Sequence, residues 1–373
     1  MLESYALTAG ISAKTMFKFP PRSCRLTRPT VVQFFGGGQD SVALLYKLYY
    51  DAEFRAKYVG DSHFVAIMSD TGDEHDDLYE NMPLYKAWCE QVGIEFYFIT
   101  NDMGYHSEAW MSLLGQFYRN DNIMGVAFPK SCTDQLKIKV CYNFLADWLR
   151  WSYGFTSVGY KTYYEYEAYY GKLISWIGFA AGEEKRQAEG SIAEGVTMAH
   201  SEEITPSNPI TDSVATKKAS KKPRKSRPIV PTDLYGVPIK TKKRSDIPIY
   251  RQRCVTHVYP LIELGLNRAA CQQLIRGYGH RVPFPTSCKR CPFMGEVELV
   301  YLYRTNQRDY NEWVEREAAK LKKNEDKPIN LGVMGQLTLS QYLAKAIEKY
   351  GHWSIEELTE YSFSHGHCVM SRI

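Results

Sequence analysis

Short apolar runs alternate with longer amphipathic stretches along the first half of the chain. Val31-Val32-Gln33-Phe34-Phe35 is apolar except for Gln33, and Phe64-Val65-Ala66-Ile67-Met68 repeats that form. Ile94-Glu95-Phe96-Tyr97-Phe98-Ile99 and Leu173-Ile174-Ser175-Trp176-Ile177 complete a set of four predicted strands. Between them, Leu78, Met82, Leu84, Tyr85, Trp88 and Val92 recur at helical spacing, and residues 138–153 read as a second helix. Strands alternating with helices predict an α/β fold with a doubly wound, mostly parallel sheet covered on both faces. In such sheets ligands bind beyond the carboxyl ends of the strands. Helical patterns return around Leu261–Tyr278, Glu296–Lys320 and Leu339–Glu348, which predicts a helical C-terminal part.

The pattern breaks between 190 and 247. There Lys217, Lys218, Lys221, Lys222, Arg224, Lys225 and Arg227 follow one another with no acid among them. Such a block cannot bury enough surface to fold alone. It is a solvated insertion or an arm that contacts a phosphate backbone. The expected division is a lead-in at 1–30, an α/β domain at 31–189, the basic insertion at 190–247 and a helical region at 248–373. A net charge of +4 does not by itself demand a nucleic-acid partner. No apolar run approaches the roughly 18 residues of a membrane span, and no apolar leader follows a basic start, so a cytoplasmic protein with no membrane partner is expected. Nine cysteines in that setting point to reduced thiols, used for metal or catalysis.

Three strand ends carry candidate chemistry. The first strand runs into Gly36-Gly37-Gly38-Gln39-Asp40-Ser41 and then Val42-Ala43-Leu44-Leu45, a strand, a tight loop and a helix start. Glycines let backbone approach a ligand, and a helix N-terminus suits phosphate. Asp40 or Ser41 is the expected cap of that helix. The spacing is neither a Walker A loop nor a dinucleotide fingerprint. The second run ends in Asp70-Thr71-Gly72, where an acid at a strand end can hold Mg²⁺ or a ribose hydroxyl. The fourth ends in Gly178, followed by Glu183, Glu184, Lys185 and Arg186, acids for Mg²⁺ and bases for phosphate. Further on, Cys288-Lys289-Arg290-Cys291-Pro292 is a Cys-x-x-Cys knuckle that can bind one metal ion, two corners of an Fe–S cluster, or act as a redox dithiol.

Together these motifs resemble the PP-loop ATP pyrophosphatase superfamily. Gly36–Ser41 is similar to its Ser-Gly-Gly-x-Asp-Ser loop, with Gly36 where the first Ser is usual. Asp70-Thr71-Gly72 and Gly178–Arg186 resemble the phosphoadenosine phosphosulfate (PAPS) reductase-like branch, whose second strand ends in Asp-Thr-Gly near the adenosine. Cys132-Thr133 with Lys137-Ile138 resembles a Cys-Thr-x-x-x-Lys-Ile-x-Pro segment of the same branch, with Val140 in place of the proline. Tyr259-Pro260-Leu261-Ile262-Glu263 through Cys271 to Cys288 is similar to bacterial and phage members, related to DNA phosphorothioation and tRNA thiolation enzymes. The resemblance implies an adenine nucleotide alpha hydrolase-like fold that uses ATP and Mg²⁺. It implies nucleotide binding by Gly36, Gly37, Gly38, Gln39, Asp40, Ser41, Asp70, Thr71, Gly72, Gly178, Glu183 and Glu184. Asp40, Ser41, Lys137 and Arg186 take the catalytic roles. Cys132, Cys271, Cys288 and Cys291 hold a [4Fe–4S] cluster, with zinc as the alternative metal and Cys254 as a substitute ligand; Cys24, Cys89 and Cys141 look structural.

The implied reaction cleaves ATP to AMP and pyrophosphate and activates a nucleic-acid base or backbone, in DNA or tRNA, for sulfur or nitrogen insertion. A sulfur-donor protein is a possible partner. The tyrosines from Tyr160 to Tyr170 suit either base stacking or core packing. Two other readings stay open. One is a sulfonucleotide reductase that uses Cys368 beside His367. The other is a nucleic-acid-binding protein that senses nucleotide without turnover. The sequence leaves the oligomeric state unknown.

Overall fold

The computed structural model describes residues 17–120, 123–127, 131–184, 247–285 and 287–365. Five parallel strands form one sheet: β1 (Thr30–Phe34), β2 (His63–Ser69), β3 (Glu95–Ile99), β4 (Leu173–Ile177) and β5 (Val255–Val258), in the order β3-β2-β1-β4-β5. The strand order reverses direction between β1 and β4, the switch point at which an open α/β sheet leaves a crevice.

Strand periodicity decides what each face buries. Along β2, Phe64, Ala66 and Met68 point into one core, while Val65 and Ile67 point into another; Val31 and Val32 of β1 divide the same way. The first core is closed by α1 (Gln39–Tyr50), α2 (Ala52–Tyr58) and α3 (Asp76–Gln91), through side chains such as Leu44, Leu45 and Leu78. The helix α4 (Leu113–Asn120) lies after β3, outside these layers, with Leu113 and Phe117 packed on Leu136. The second core is closed by α5 (Lys139–Tyr153) and α6 (Lys161–Tyr170), around Trp148, Phe144 and Tyr163. Each fully buried Leu or Phe contributes about 1.5–3 kcal/mol, so these two layers hold the sheet.

The four expected strands, β1 to β4, form where the apolar runs stand, and the α/β class with a helical C-terminal part is also correct. Three boundaries differ. The fifth strand was not expected; it follows the short helix α7 (Ile249–Cys254) and pairs with β4, Ser175 facing His257. The expected helix at Leu261–Tyr278 is two, α8 (Pro260–Glu263) and α9 (Arg268–Gly277). Gly265 turns the chain at φ +66 and Asn267 caps α9 by accepting from Ala270 N. The stretch expected at Glu296–Lys320 divides at Asn306 into α10 (Glu296–Thr305) and α11 (Gln307–Lys323), Asn306 ending one and capping the other.

With α12 (Leu339–Tyr350) and α13 (Ile355–His365), these helices surround a third core built on Trp313, Leu299 and Leu358. A buried ion-pair cluster ties this helical part to the α/β domain. Arg290, 2% exposed, donates to Asp73 Oδ1 at 2.5 Å, to Asp309 at 2.8 Å and to Glu312 at 2.6 Å. The lead-in is tied down too. Arg22 forks onto both oxygens of Glu95 at 2.8 and 2.7 Å, and Phe19 stacks on Trp151 at 4.8 Å. No helix among the described residues is long and apolar enough to cross a membrane.

Candidate functional site

Beyond the carboxyl ends of β1, β2 and β4 lies a cavity of about 320 Å³. Its lining comes from every strand end that the sequence marked. The glycine loop supplies Gly36, Gly38, Gln39, Asp40 and Ser41; β2 and its turn supply Ser69 and Thr71; β4 supplies Gly178.

The loop is shaped for close backbone approach. Gly37 sits at φ +70, a conformation costly for other residues. A Cβ on Gly178 would lie 3.2 Å from Ser41 N, so any larger residue at this strand end would press on the backbone of the loop. The cap of α1 corrects the sequence expectation: neither Asp40 nor Ser41 caps it. Gly38 is the N-cap, with no side-chain hydrogen bond, and the Ser41 hydroxyl donates back to Gly38 O at 2.9 Å. The first-turn N–H groups therefore have no acceptor within the helix and face an anion's preferred position.

Asp40 is held by other means. Arg268, at the start of α9, lies 3.8 Å from Asp40 Oδ2 and 3.4 Å from Glu183 Oε1. The buried Cys271 thiol hydrogen-bonds Asp40; burial first, and that carboxylate second, push the thiol up. Cys271 does not line the cavity, whereas Cys132, Cys288 and Cys291 do. Cys254 is buried in α7 with its sulfur 3.5 Å from Glu167 Oε2, also away from the lining. Cys141, expected to be only structural, does line the cavity, and burial pushes its thiol up to about 12. Cys89 is buried and Cys24 exposed.

Around Cys288 the polar groups interlock. Residues Thr133–Ile138 wind as a wide π-turn, and Ser69 Oγ donates to Leu136 O at 2.5 Å, fixing that turn on the end of β2. The turn carries Lys137 to within 3.0 Å of Glu74 Oε1. Thr71 Oγ1 donates to the same oxygen at 3.0 Å and stands 3.3 Å from Cys288 Sγ. Glu74 is fully buried, pairs its backbone with Cys288, and its Oε2 has no hydrogen-bond partner among the described residues. Burial and the Glu74 charge push the Cys288 thiol up, against the pull of Lys137. A thiolate there needs a further positive partner.

Other expected residues serve the turns. Asp70 accepts from Gly72 N and Tyr79 OH, both at 2.8 Å, and burial raises its carboxyl. Neither Asp70 nor Gly72 lines the cavity; Gly72 is fixed at φ +71, and a Cβ there would lie 2.5 Å from Ser112 Cβ. Glu183 accepts from Ala180 N at 3.3 Å, and the exposed Glu184 accepts from Gly182 N at 2.8 Å. Arg186, the segment Thr216–Arg227 and Cys368 lie outside the described residues. The sequence reading missed Arg268, Arg251 and His257 as lining residues. Isolated basic residues carry no local signal; α7, β5 and α9 bring Arg251, His257 and Arg268 to the crevice.

Metals set different demands. Among the described residues, no three His, Cys, Asp or Glu side chains are placed to hold one metal ion. An Fe–S cluster spreads its thiolates over separate irons, and Cys132, Cys288 and Cys291 are the cysteines of the predicted set that share the cavity. Mg²⁺ is held mainly by phosphates and water with one or two carboxylates, and Asp40 is the carboxylate at hand.

Fold and site thus define a doubly wound α/β protein with its ligand cavity at the switch point of the sheet. No protein-family model matches the chain, and no curated protein does. A solved structure similar to it is the U34-tRNA thiolase NcsA from Methanococcus maripaludis with its [4Fe-4S] cluster. It is 14% identical, with a TM-score of 0.33, over 95% of this chain and 81% of that one. The fold assignment rests on strand order and pairing and not on that likeness.

Proposed function

We propose that this protein is a nucleotide-activating enzyme that cleaves ATP to AMP and pyrophosphate and uses the adenylated product for sulfur transfer. One observation carries the reading: a single cavity is lined both by the start of α1, which no side chain caps, and by Cys132, Cys288 and Cys291. A phosphate site and a thiol site within one cavity suit a reaction that makes a leaving group and then displaces it.

In this reading the α1 N-terminus and the loop N–H groups hold the leaving phosphates, and Arg268 neutralises their charge beside Asp40. A substrate oxygen attacks the α-phosphorus, an O–P bond forms, and pyrophosphate leaves with the electron pair of the broken bond. Lys137 stands between Glu74 and the Cys288 loop, where it balances charge on the adenylate. A sulfide-level donor then attacks the activated carbon, a C–S bond forms, and AMP leaves with the electron pair of the broken C–O bond. Cys132, Cys288 and Cys291 are the residues to hold a [4Fe–4S] cluster, which would supply or retain that sulfur. Cys271 acts from behind, orienting Asp40.

The test measures pyrophosphate and AMP release from ATP with the full chain, alone and with single-stranded RNA or DNA. Release that falls about a hundredfold in Lys137→Ala supports the reading, by the scale of losing one preorganised donor. ATP binding without turnover under all conditions would replace it with a nucleotide sensor.

A further inference from the structure

A band of aromatic and arginine side chains leads from the cavity to the surface. It starts at Phe34 and Tyr142, both on the lining, with ring centres 5.1 Å apart. Arg251, also on the lining, has its guanidinium carbon over the Tyr142 ring, 4.3 Å from the ring centre. Tyr142 meets Tyr163 of α6 at 5.9 Å and Tyr250 of α7 at 6.3 Å, and Tyr163 stacks on Tyr250 at 5.0 Å. Tyr250 continues to Tyr160 at 5.9 Å, and Tyr160 is 56% exposed. Beside it Arg253 lies over Tyr164 at 5.6 Å and reaches Glu167 at 3.1 Å, with two thirds of its side chain still in solvent. Lys139 near the same face is paired with Asp134 at 2.9 Å.

Core packing accounts for Tyr163, which is fully buried, but not for the exposed Tyr160, nor for Arg251 laid over Tyr142 on the cavity lining and the solvent-exposed Arg253 over Tyr164. Alternating π-faces and guanidinium planes are what unpaired nucleobases stack on, and the cations suit the phosphates between them.

We propose that Tyr160, Tyr250, Arg251 and Arg253 form a stacking lane for single-stranded nucleic acid, which delivers one base into the cavity. The proposal deepens the adenylation reading by naming its substrate class, and rests on that reading only for what happens inside the cavity. A duplex keeps its bases stacked and cannot use the lane.

The experiment is fluorescence anisotropy on the full chain without ATP, with fluorescein-labelled oligouridine and oligothymidine of about ten nucleotides. Binding is expected, and Tyr160→Ala should weaken it about tenfold while Tyr160→Phe restores it. Arg251→Lys keeps the charge but loses the plane, so affinity should fall with the salt slope unchanged. Arg253→Gln should lower that slope by about one. The tighter of the two oligomers identifies RNA or DNA as the source. Wild-type affinity in both Tyr160→Ala and Arg251→Lys overturns the lane, as does equal competition by duplex. Because ATP is absent, a failure of the adenylation reading leaves these results untouched.

Discussion

The two ends of the sheet treat a buried carboxylate in opposite ways. At the amino ends of the strands, Glu95 accepts from Arg22, His63, Tyr97 and Trp148 at distances between 2.6 and 2.9 Å. Every oxygen there is satisfied, and the cluster fastens the lead-in to the sheet. At the carboxyl ends, Glu74 leaves Oε2 without a partner among the described residues, beside Lys137 and the Cys288 thiol, both of which line the cavity. A saturated carboxylate contributes stability. One kept half-satisfied and buried costs stability, and such costs gather at sites that act on ligands.

That contrast can be broken by mutation, beginning with the largest effect. Lys137→Ala, at the cavity end, should lower ATP turnover about a hundredfold while shifting Tm by only a few degrees. A large fall in Tm with turnover per folded molecule unchanged would make Lys137 part of the scaffold.

At the other end Glu95→Gln should cost on the order of 3 kcal/mol of stability and leave turnover intact. The pH dependence has a definite sign. Burial alone would raise the Glu95 carboxyl, but hydrogen bonds from His63, Tyr97, Trp148 and Arg22 outweigh it and bring it from 4.5 down to about 2. A folded value below the unfolded one means the contribution is complete above about 4.5 and is lost as pH falls toward 2. Denaturant melts from pH 6 to pH 2.5 should show a loss in wild type that is smaller in Glu95→Gln. Parallel curves for the two proteins would remove the distinction between the ends.

Gly72→Ala should destabilise by about 1–3 kcal/mol, because φ is +71 and the new methyl meets Ser112. The smallest effect separates the cysteines. Cys271→Ser should leave bound iron and the absorbance near 400 nm unchanged after anaerobic purification, whereas Cys288→Ser should lose both. Iron lost equally from both variants would return Cys271 to the ligand set.

Much of the sheet was legible in the sequence because strands packed between two layers need mostly apolar runs, and β1 to β4 have them, with a single polar residue such as Gln33 or Ser175 at most inside each. The strand β5 was not legible. Val255-Thr256-His257-Val258 is four residues long, half-polar, and becomes a strand only by pairing with β4. Helix breaks at Gly265 and Asn306 were hidden because apolar spacing continues across them. In the site, Gly37, Gly178 and the Cys288–Cys291 knuckle could be read from residue type, since backbone clearance and thiol pairs leave local signatures. The roles of Arg268 and Cys271 could not. They depend on how α9 lies against α1, which places Arg268 at the phosphate loop and turns Cys271 onto Asp40.

The central claim is that the carboxyl end of the sheet binds ATP through the start of α1. Isothermal titration of the full chain with ATP and Mg²⁺ tests it most directly, in wild type, Gly178→Val and Arg268→Ala. Saturable binding at one site per chain is predicted for wild type, lost in Gly178→Val, whose added side chain pushes against Ser41, and weakened about tenfold without Arg268. No binding by wild type, or equal binding by all three folded proteins, would contradict it.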